Sequence, residues 1–371
     1  MKIIHLITGL DAGGAEAVLV RLVLNDKNNN NLVISMKELG YFGSQLTDNG
    51  LRVETLGLNN WLNIISGFSI LKFAFIVLRF KPDAIMSWMY HACLFGGLIG
   101  RLLGVRNIIW NILGTNQKLS QIQFGSRIIF LLCKYFSHII PKKMVSCAQS
   151  IKSNYLSHGF KPSVFEVIHN GYDTDEFQFS MALRNKYRAE LSIREDMPLI
   201  GMVARWHPQK NHELLIEALD LVKSYEIDFK CLFIGEDIIN SELEEMIKSR
   251  GLHDHILLRN EIENVPKIMS SLDLHVLSSS FGEGFPNVLA EAMACNVPCI
   301  ATDIGDTEIM IGDTGWIIHD KTPQEMSTTI INALELMKNK NKWSKLCMKA
   351  RSRIVENFQI SKMVQKYKEL Y

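Results

Sequence analysis

The sequence lacks the features that define several protein classes. Its seven cysteines, at positions 93, 133, 147, 231, 295, 299 and 347, show neither metal-type nor disulfide-type spacing, and their odd number is typical of reduced thiols. The opening residues have no basic segment, apolar core or small-residue cleavage site of a signal peptide, and they read as a strand that runs into a glycine turn. We therefore expect a cytoplasmic protein.

The chain also lacks an apolar run that could span a bilayer. Trp61–Phe80 is interrupted by polar residues and glycine, and Ile128–Ile140 is too short. The net charge is only +1, but residues 1–150 carry 15 Lys+Arg against 7 Asp+Glu (+8), and residues 151–371 carry 25 against 32 (−7). We expect no nucleic-acid partner. The basic N-terminal half either makes peripheral contact with anionic membrane or a phosphate-bearing acceptor, or is a scattered, solvated surface.

What the chain does contain is an alternation of short apolar runs with helix-length patterns, which predicts buried parallel strands and crossover helices. With 371 residues, 47% of them hydrophobic, two domains are expected. The fold class predicted is α/β, with two Rossmann-like domains whose parallel sheets face a central cleft. The turn-rich segment Val164–Phe179 belongs to neither a clear helix nor a clear strand, and it is the expected hinge. The predicted strands are Ile3–Thr8, Leu32–Met36, Ala84–Trp88, Asn107–Ile112, Lys143–Cys147, Ile200–Ala204, Lys230–Ile234, Ile256–Leu258, Leu274–Leu277, Pro298–Ala301 and Gly315–Ile317.

The strongest motif is EGFPNVLAE, Glu283–Glu291, which follows the apolar run Leu274–Leu277. Gly282 and Gly284 let the backbone approach a ligand closely, and Pro286 suits the first turn of a helix. A strand, a tight turn and a helix N-terminus form an anion site, because the first free N–H groups and the helix dipole both favour phosphate.

The spacing of the two glutamates argues against a glycosidase pair. In a continuous helix eight residues separate Glu283 from Glu291 by roughly 12 Å, which is longer than either carboxylate pairing of glycosidases. We therefore expect Glu283 to bind the donor sugar and Glu291 to bind ribose hydroxyls, with a diphosphate on the amides between them. The alternative is two solvated glutamates on a surface helix.

A second cluster, GMVARWHPQKNH, joins the strand at 200–204 to the helix Glu213–Lys223. Arg205 and Lys210 in this turn can clamp a leaving diphosphate, the first by bidentate bonding and the second as a point charge. A third element, Gly13-Gly14, follows the first strand. It lacks the third glycine of a dinucleotide fingerprint, which argues against a nicotinamide enzyme. It does supply a glycine turn in the N-terminal domain, and this turn is able to approach the donor phosphates from the side opposite the glutamate motif.

Taken together, these motifs resemble the retaining GT-B glycosyltransferases of family 4, along nearly the whole chain. The E-x7-E motif, the Arg…Lys turn, GGAEAVLVRL, VIHNGYDTDEF and VENFQISKMVQKYKELY stand in the order found in that family. The resemblance implies catalytic roles for Glu283, Arg205 and Lys210, with Gly14 near the phosphates. It also implies that the backbone amides of Phe285, Asn287, Val288 and Leu289 bind the donor. The other donor-binding residues that it implies are Gly13, Gly14, Gly284, Pro286 and Glu291.

The resemblance further implies same-face attack through an oxocarbenium-like transition state, in which the leaving phosphate helps to deprotonate the acceptor. No cofactor and no metal are then required, because two cationic side chains and the helix N-terminus replace a divalent cation. One departure concerns the N-terminal lobe, where Trp110, Asn111 and Leu113 stand in the segment that carries a histidine in many members. The nearest candidate to replace it is His91. This histidine either faces the cleft, where it could contact the acceptor, or is buried in a helix.

These interpretations predict four segments: an acceptor-binding domain at 1–165, a linker at 166–180, a nucleotide-sugar domain at 181–350 and a C-terminal helix at 351–371 that crosses back to the first domain. The predicted function is transfer of a hexose-type sugar from a nucleotide diphosphate, with UDP expected, to a glycan acceptor, expected to be lipid-linked, in surface polysaccharide biosynthesis. Two alternatives are a nucleotide-sugar 2-epimerase and a non-catalytic nucleotide-sugar-binding subunit. The base pocket is expected around Leu258–Glu263.

Overall fold

The chain forms two compact units. The structure, a computed structural model, describes residues 1–11, 13–58, 67–113, 124–260 and 264–371. The first unit comprises Met1–Gly171 together with Ile360–Tyr371, and the second comprises Tyr172–Gln359. The last helix of the chain thus belongs to the first unit, while the two helices before it belong to the second.

The first unit contains a seven-stranded sheet with the order β3-β2-β1-β4-β5-β6-β7, and all its strand pairs are parallel. Parallel strands buried on both faces read as continuous apolar runs, which explains why most of them are visible in the sequence. The strands are β1 (Lys2–Ile7), β2 (Asn30–Ser35), β3 (Arg52–Thr55), β4 (Ala84–Trp88), β5 (Ile108–Asn111), β6 (Lys143–Ser146) and β7 (Phe165–Val167).

Helices cover both faces of this sheet. One face packs against α1 and α15, and the other packs against α3 and α4. In α15, Tyr367 stacks on Trp88 and donates a hydrogen bond to Asn111 Oδ1 at 3.0 Å, which anchors the C-terminus of the chain in the first unit. The helices are α1 (Gly14–Asn25), α2 (Gly40–Asp48), α3 (Gly67–Phe80), α4 (Met89–Leu102), α5 (Phe124–Phe136), α6 (Gln149–Ser157) and α15 (Ile360–Lys368).

The second unit contains a six-stranded parallel sheet with the order β10-β9-β8-β11-β12-β13. Its strands are β8 (Leu199–Val203), β9 (Lys230–Ile234), β10 (Ile256–Arg259), β11 (Leu274–Leu277), β12 (Cys299–Thr302) and β13 (Trp316–Ile318). Its helices are α7 (Met181–Glu190), α8 (His212–Lys223), α9 (Ser241–Ser249), α10 (Val265–Ser271), α11 (Asn287–Ala294), α12 (Thr307–Ile311), α13 (Pro323–Lys338) and α14 (Lys340–Asn357).

Each sheet has one point where the chain order reverses, between β1 and β4 in the first unit and between β8 and β11 in the second. The carboxyl edge of the sheet at such a reversal is where open α/β sheets bind their ligands. Both units are therefore doubly wound α/β folds, as the sequence predicted.

The structure differs from the sequence prediction at two connecting segments. Val164–Phe179 was expected to hold neither helix nor strand, yet Phe165–Val167 forms the edge strand β7, so the predicted linker 166–180 begins inside the sheet. The segment 351–371, expected as one helix, is divided between the end of α14 and the separate α15. The chain passes from one unit to the other between these two helices.

The structure also describes the cysteines and the apolar segments that the sequence analysis considered. All seven cysteines are free thiols, and six of them are buried. No helix within the described part of the chain has both the length and the apolar run needed to cross a bilayer.

Candidate active site

Two loops meet at the point of chain reversal in the second unit. Residues 204–211 follow β8, and residues 278–286 follow its neighbour β11. Ser278 Oγ lies 2.9 Å from the carbonyl oxygens of both Lys210 and Asn211, and the Ser280 N–H donates to the Gln209 carbonyl at 2.9 Å. These bonds hold the Arg205–Lys210 turn against the glutamate motif, which the sequence places 73 residues later.

The Glu283 carboxylate is the centre of this site. Its Oε1 accepts hydrogen bonds from Lys210 Nζ at 2.5 Å, Ser279 Oγ at 2.7 Å and Gln209 Nε2 at 3.3 Å. The ion pair is largely buried, with 17% of the Lys210 side chain and 9% of the Glu283 side chain exposed. Within the described residues Oε2 has no partner, so it is the oxygen that can bind a ligand hydroxyl.

A third loop supports this carboxylate from β12. Thr302 Oγ1, at the end of that strand, donates to the Ser279 carbonyl at 2.5 Å, and the Asp306 N–H donates to the Gly284 carbonyl at 2.9 Å. Between them Gly305 has a positive φ of 68°, and a Cβ there would lie 2.5 Å from the Glu283 carbonyl oxygen. Only glycine permits this contact, because the other residues carry a Cβ and disfavour that backbone conformation.

The helix that follows the motif is α11. Pro286 is its N-cap residue, one position earlier than the first-turn place that the sequence suggested, and the Leu289 N–H donates to the Pro286 carbonyl at 3.3 Å. Asn287, the first helical residue, accepts a hydrogen bond from the buried Tyr172 hydroxyl at 3.0 Å, and the Phe285 ring packs edge-on against Phe358 at 5.1 Å. The helix N-terminus is thus fixed by residues at the two ends of the second unit.

The other two charged candidate residues of the second unit lie in the loop after β8 and in α11. Arg205 is exposed in the loop after β8, and none of the described residues forms an ion pair with it. Glu291 is a buried residue inside α11, whereas Glu283 lies in the turn before it. The two glutamates therefore belong to different local structures, and the distance estimated for one continuous helix does not apply to them.

In the first unit the candidate residues lie at that unit's own chain reversal. Gly13 is the N-cap of α1 and Gly14 its first residue, after β1. His91 is in the first turn of α4, after β4, and is half-buried. Burial, and then the charge of Lys37, lowers the pKa of His91, so its imidazole is neutral at neutral pH. Met89, two residues earlier, has a strained positive φ of 69°.

The sequence did not indicate Gln209, Ser279, Thr302 or Gly305. Ser279 stood in a serine-rich turn and Gly305 after an apolar run, and neither pattern points to a specific contact. The loops come together only because β8, β11 and β12 are neighbours in the sheet. Of the expected base pocket at Leu258–Glu263, residues 261–263 lie outside the described residues. No group of three or more His, Cys, Asp or Glu side chains in the described ranges could hold a metal ion.

Comparisons with known proteins identify relatives of this chain. The family described as Glycosyl transferases group 1 matches residues 184–349. An Escherichia coli UDP-Gal:alpha-D-GlcNAc-diphosphoundecaprenol alpha-1,3-galactosyltransferase is 24% identical over 83% of this chain and 78% of its own length. The lipopolysaccharide core biosynthesis mannosyltransferase LpsB of Rhizobium meliloti is 31% identical over 41% of this chain and 45% of its own.

The fold is shared along the whole chain. The crystal structure of Anabaena Alr3699/HepE in complex with UDP superposes with a TM-score of 0.86 at 20% identity, covering 100% of this chain and 99% of that one. The matched family region contains Arg205, Lys210, Glu283 and Glu291. Residues 184–349 match the Glycosyl transferases group 1 family, and the protein is a glycosyltransferase with the GT-B fold.

Proposed function

We propose that this glycosyltransferase moves a hexose-type sugar from UDP to a lipid-linked glycan acceptor, with retention of anomeric configuration, in surface polysaccharide biosynthesis at the inner face of the cytoplasmic membrane. The observation that carries the proposal is the Glu283 carboxylate, whose Oε1 is held by three donors while Oε2 is open to a sugar hydroxyl. The names of the relatives support it, since the Escherichia coli enzyme is named for a UDP-Gal donor and a diphosphoundecaprenol-linked acceptor.

The diphosphate is bound by cations and a helix end in this proposal. The Lys210 ammonium has three N–H donors and uses one on Glu283, so two remain for phosphate oxygens. The exposed Arg205 guanidinium can add a bidentate contact from the same loop. The N-terminus of α11 favours the remaining negative charge, so no divalent cation and no cofactor is needed.

The nucleoside and the sugar lie on either side of that diphosphate. Glu291 accepts hydrogen bonds from the ribose hydroxyls, and the backbone N–H groups of Phe285, Asn287 and Val288 contact the donor. Leu289 is a weaker candidate for an amide contact than its neighbours, because its N–H already donates to Pro286. Glu283 Oε2 fixes the orientation of the hexose, which positions its anomeric carbon for attack.

Retention follows from attack on the face that the diphosphate leaves. The bond between the anomeric carbon and the phosphate oxygen breaks, the acceptor oxygen forms its bond on the same face, and the acceptor proton passes to the leaving phosphate. The carboxylate of Glu283 beside the sugar opposes the positive charge of an oxocarbenium-like transition state, while Arg205 and Lys210 stabilise the departing phosphate.

Acceptor binding is assigned to the first unit. Gly13 and Gly14 form the N-terminus of α1 at the chain reversal, beside the Glu16 carboxylate, and we propose that this segment contacts donor phosphate, as the sequence predicts. His91 lies at the same edge, after β4, and its neutral imidazole can donate one hydrogen bond and accept another.

The experiment is a product analysis with UDP-sugars and a polyprenyl-diphosphate-linked sugar. NMR of the product should show a new glycosidic bond with the anomeric configuration of the donor, and inversion would contradict the retaining mechanism. Conversion of the nucleotide sugar without any acceptor would identify a 2-epimerase instead. Donor binding with neither conversion nor transfer would favour a non-catalytic subunit.

A further inference from the structure

The outer surface of α3 is apolar, contrary to the usual pattern of a surface helix. Phe68, Leu71, Phe75 and Leu78 repeat at intervals of three, four and three residues and are all exposed, Leu71 by 70% and Phe75 by 61%. The opposite side of the helix, which includes Phe73, packs into the core. A helix that is apolar on all sides is normally enclosed, so the outer side of α3 is suited to an apolar partner.

The outer surface of α5 has the same character. Phe124, Ile128, Leu131, Leu132 and Tyr135 follow helical spacing and are all exposed. The inner side of α5 packs on α4, where its phenylalanine and cysteine side chains contact Tyr90. Both α3 and α5 contact α4, so the three helices form one layer of the first unit. The exposed apolar residues of α3 and α5 are called the apolar face below.

The chain segment that contains both helices is poor in acidic residues. Between Glu54 and Glu166 the chain contains a single acidic residue, Asp83. The two helices themselves carry Arg79, Lys134 and two further cations but no aspartate or glutamate. A partner protein with both positive and negative surface charges would gain little electrostatic attraction from this distribution. An anionic surface, by contrast, would be attracted by every cation of the two helices.

A basic pocket lies at the C-terminal end of α3. It has a volume of about 590 Å³, and its lining combines the rings of Phe75 and Phe80 with four cations and one carboxylate, Glu54. The carboxylate is paired with Arg52 at 2.8 Å. The other three cations, Lys2, Lys72 and Arg79, have no carboxylate partner among the residues that line the pocket.

We infer that the apolar face inserts into the interface of an anionic phospholipid bilayer and that a lipid phosphate enters the basic pocket. Apolar side chains beside cations of one sign are the features that place a helix in a membrane interface. Two large side chains on one stripe, Leu71 and Phe75, supply apolar burial, and the pocket supplies selectivity for anionic lipid. The inference does not depend on sugar transfer, because docking needs neither donor nor acceptor.

Co-sedimentation with vesicles tests it, using phosphatidylcholine with and without phosphatidylglycerol at low salt. The unmodified protein should bind the phosphatidylglycerol vesicles. The double variant Leu71→Glu/Phe75→Glu should bind them about tenfold more weakly or worse, because its apolar stripe is interrupted by charge. Arg79→Glu should reduce the preference for phosphatidylglycerol. The control is Tyr225→Glu/Met348→Glu, which adds the same two charges at side chains of the second unit that are 66% and 52% exposed.

Three results would overturn the inference: no vesicle binding by the unmodified protein, equal binding by the double variant, or a dimer in solution that the double variant converts to monomer, which would assign the face to a second copy. An unchanged lipid preference in Arg79→Glu would overturn the role of the pocket. Melting curves of each variant show that it folds. Loss of transfer with intact vesicle binding would concern the proposed reaction and leave the docking surface standing.

Discussion

The Lys210 ammonium and the Glu283 carboxylate form a largely buried ion pair at the centre of the site. Removing both charges from water costs free energy, and an ion pair in such a position is weak support for stability by itself. Ser279 and Gln209 add hydrogen bonds that satisfy the carboxylate oxygen facing the protein. This arrangement keeps a charged group fixed without relaxation when a substrate binds, which is what electrostatic catalysis requires.

Glu283→Gln tests the role of this charge. The amide retains an oxygen for Ser279 but loses the negative charge beside the sugar, so kcat should fall by about 10²–10³ while UDP affinity changes little. Steady-state kinetics and UDP titration measure the two effects. Glu213→Gln, at an exposed residue in the first turn of α8, is the matched control and should retain full activity. A Glu283→Gln enzyme with unchanged kcat would contradict the role given to the carboxylate.

The charged candidate residues could be predicted from the sequence, whereas the residues that hold them in position could not. Glu283, Glu291, Arg205 and Lys210 stand out because charged residues recur beside glycines and a helix start. Ser279, by contrast, is one of three consecutive serines, and only the fold shows which of them reaches the carboxylate. Hydrogen bonds between loops depend on strand order, which a local pattern does not encode.

At the scale of the elements, the site is built from the ends of three neighbouring strands. The loop after β12 supports the loop after β11 through Gly305, where the backbones are too close for a side chain. The position of Glu283 therefore depends on a glycine 22 residues further along the chain. We expect this loop contact to be as important for donor binding as the charged residues.

Gly305→Ala should weaken donor binding and lower stability together. The methyl group would lie 2.5 Å from the Glu283 carbonyl oxygen, in a backbone conformation that also costs about 1–2 kcal/mol for an alanine. Gly50→Ala is the matched control, because Gly50 has a positive φ of 78° but a Cβ added there would have no atom within 4 Å. Calorimetric titration with UDP separates the two variants. Equal donor affinity in both would show that the contact does not position the site.

Two strands of the first sheet were not predicted from the sequence, and they show which strands a hydrophobic pattern fails to indicate. The run Arg52–Thr55 forms β3 and Phe165–Val167 forms β7, the two edges of the first sheet. Edge strands are short and partly exposed, so polar residues alternate with apolar ones and the continuous apolar signal of a central strand is absent. Central strands such as β4, β9 and β11 have the predicted bounds without any shift.

At the scale of the whole molecule, three buried histidines link stability to pH. Burial lowers the pKa of His275 to about 3, and lowers those of His212 and His5 to about 4. Neither ring nitrogen of His275 or His212 has a hydrogen-bond partner among the described residues. The folded state therefore holds these imidazoles neutral, whereas the unfolded chain binds a proton near pH 6.5.

Stability should consequently fall as the pH drops below about 6.5 towards about 4. Each histidine should lower the free energy of unfolding by about 1.4 kcal/mol at pH 5.5, because only the unfolded state binds the proton at that pH. Thermal melting between about pH 7.5 and about pH 5.5 measures the effect. His253→Gln, at an exposed histidine, should leave the pH dependence unchanged. A melting temperature that is constant or rises on acidification would contradict the account.

The two units carry different candidate functional residues. The charged candidate donor residues lie in the acidic C-terminal part of the sequence, and the apolar face with its cations lies in the basic N-terminal part. Sequence composition showed this asymmetry but not its geometry, because the exposure of α3 and α5 depends on which side of each helix packs on the sheet. The inferred vesicle-binding surface and the proposed donor site use different residues, so each function can be removed without the other.

The most direct test of the central claim, that the second unit binds a nucleotide-diphosphate sugar through Lys210 and Glu283, is calorimetric titration with UDP, GDP and ADP. The unmodified protein should bind UDP, Lys210→Ala should bind it about tenfold more weakly or worse, and Lys210→Arg should bind it more tightly than the alanine variant. Lys349→Ala, on the surface of α14, is the control and should bind normally. Failure of the unmodified protein to bind any of the three nucleotides would contradict the account.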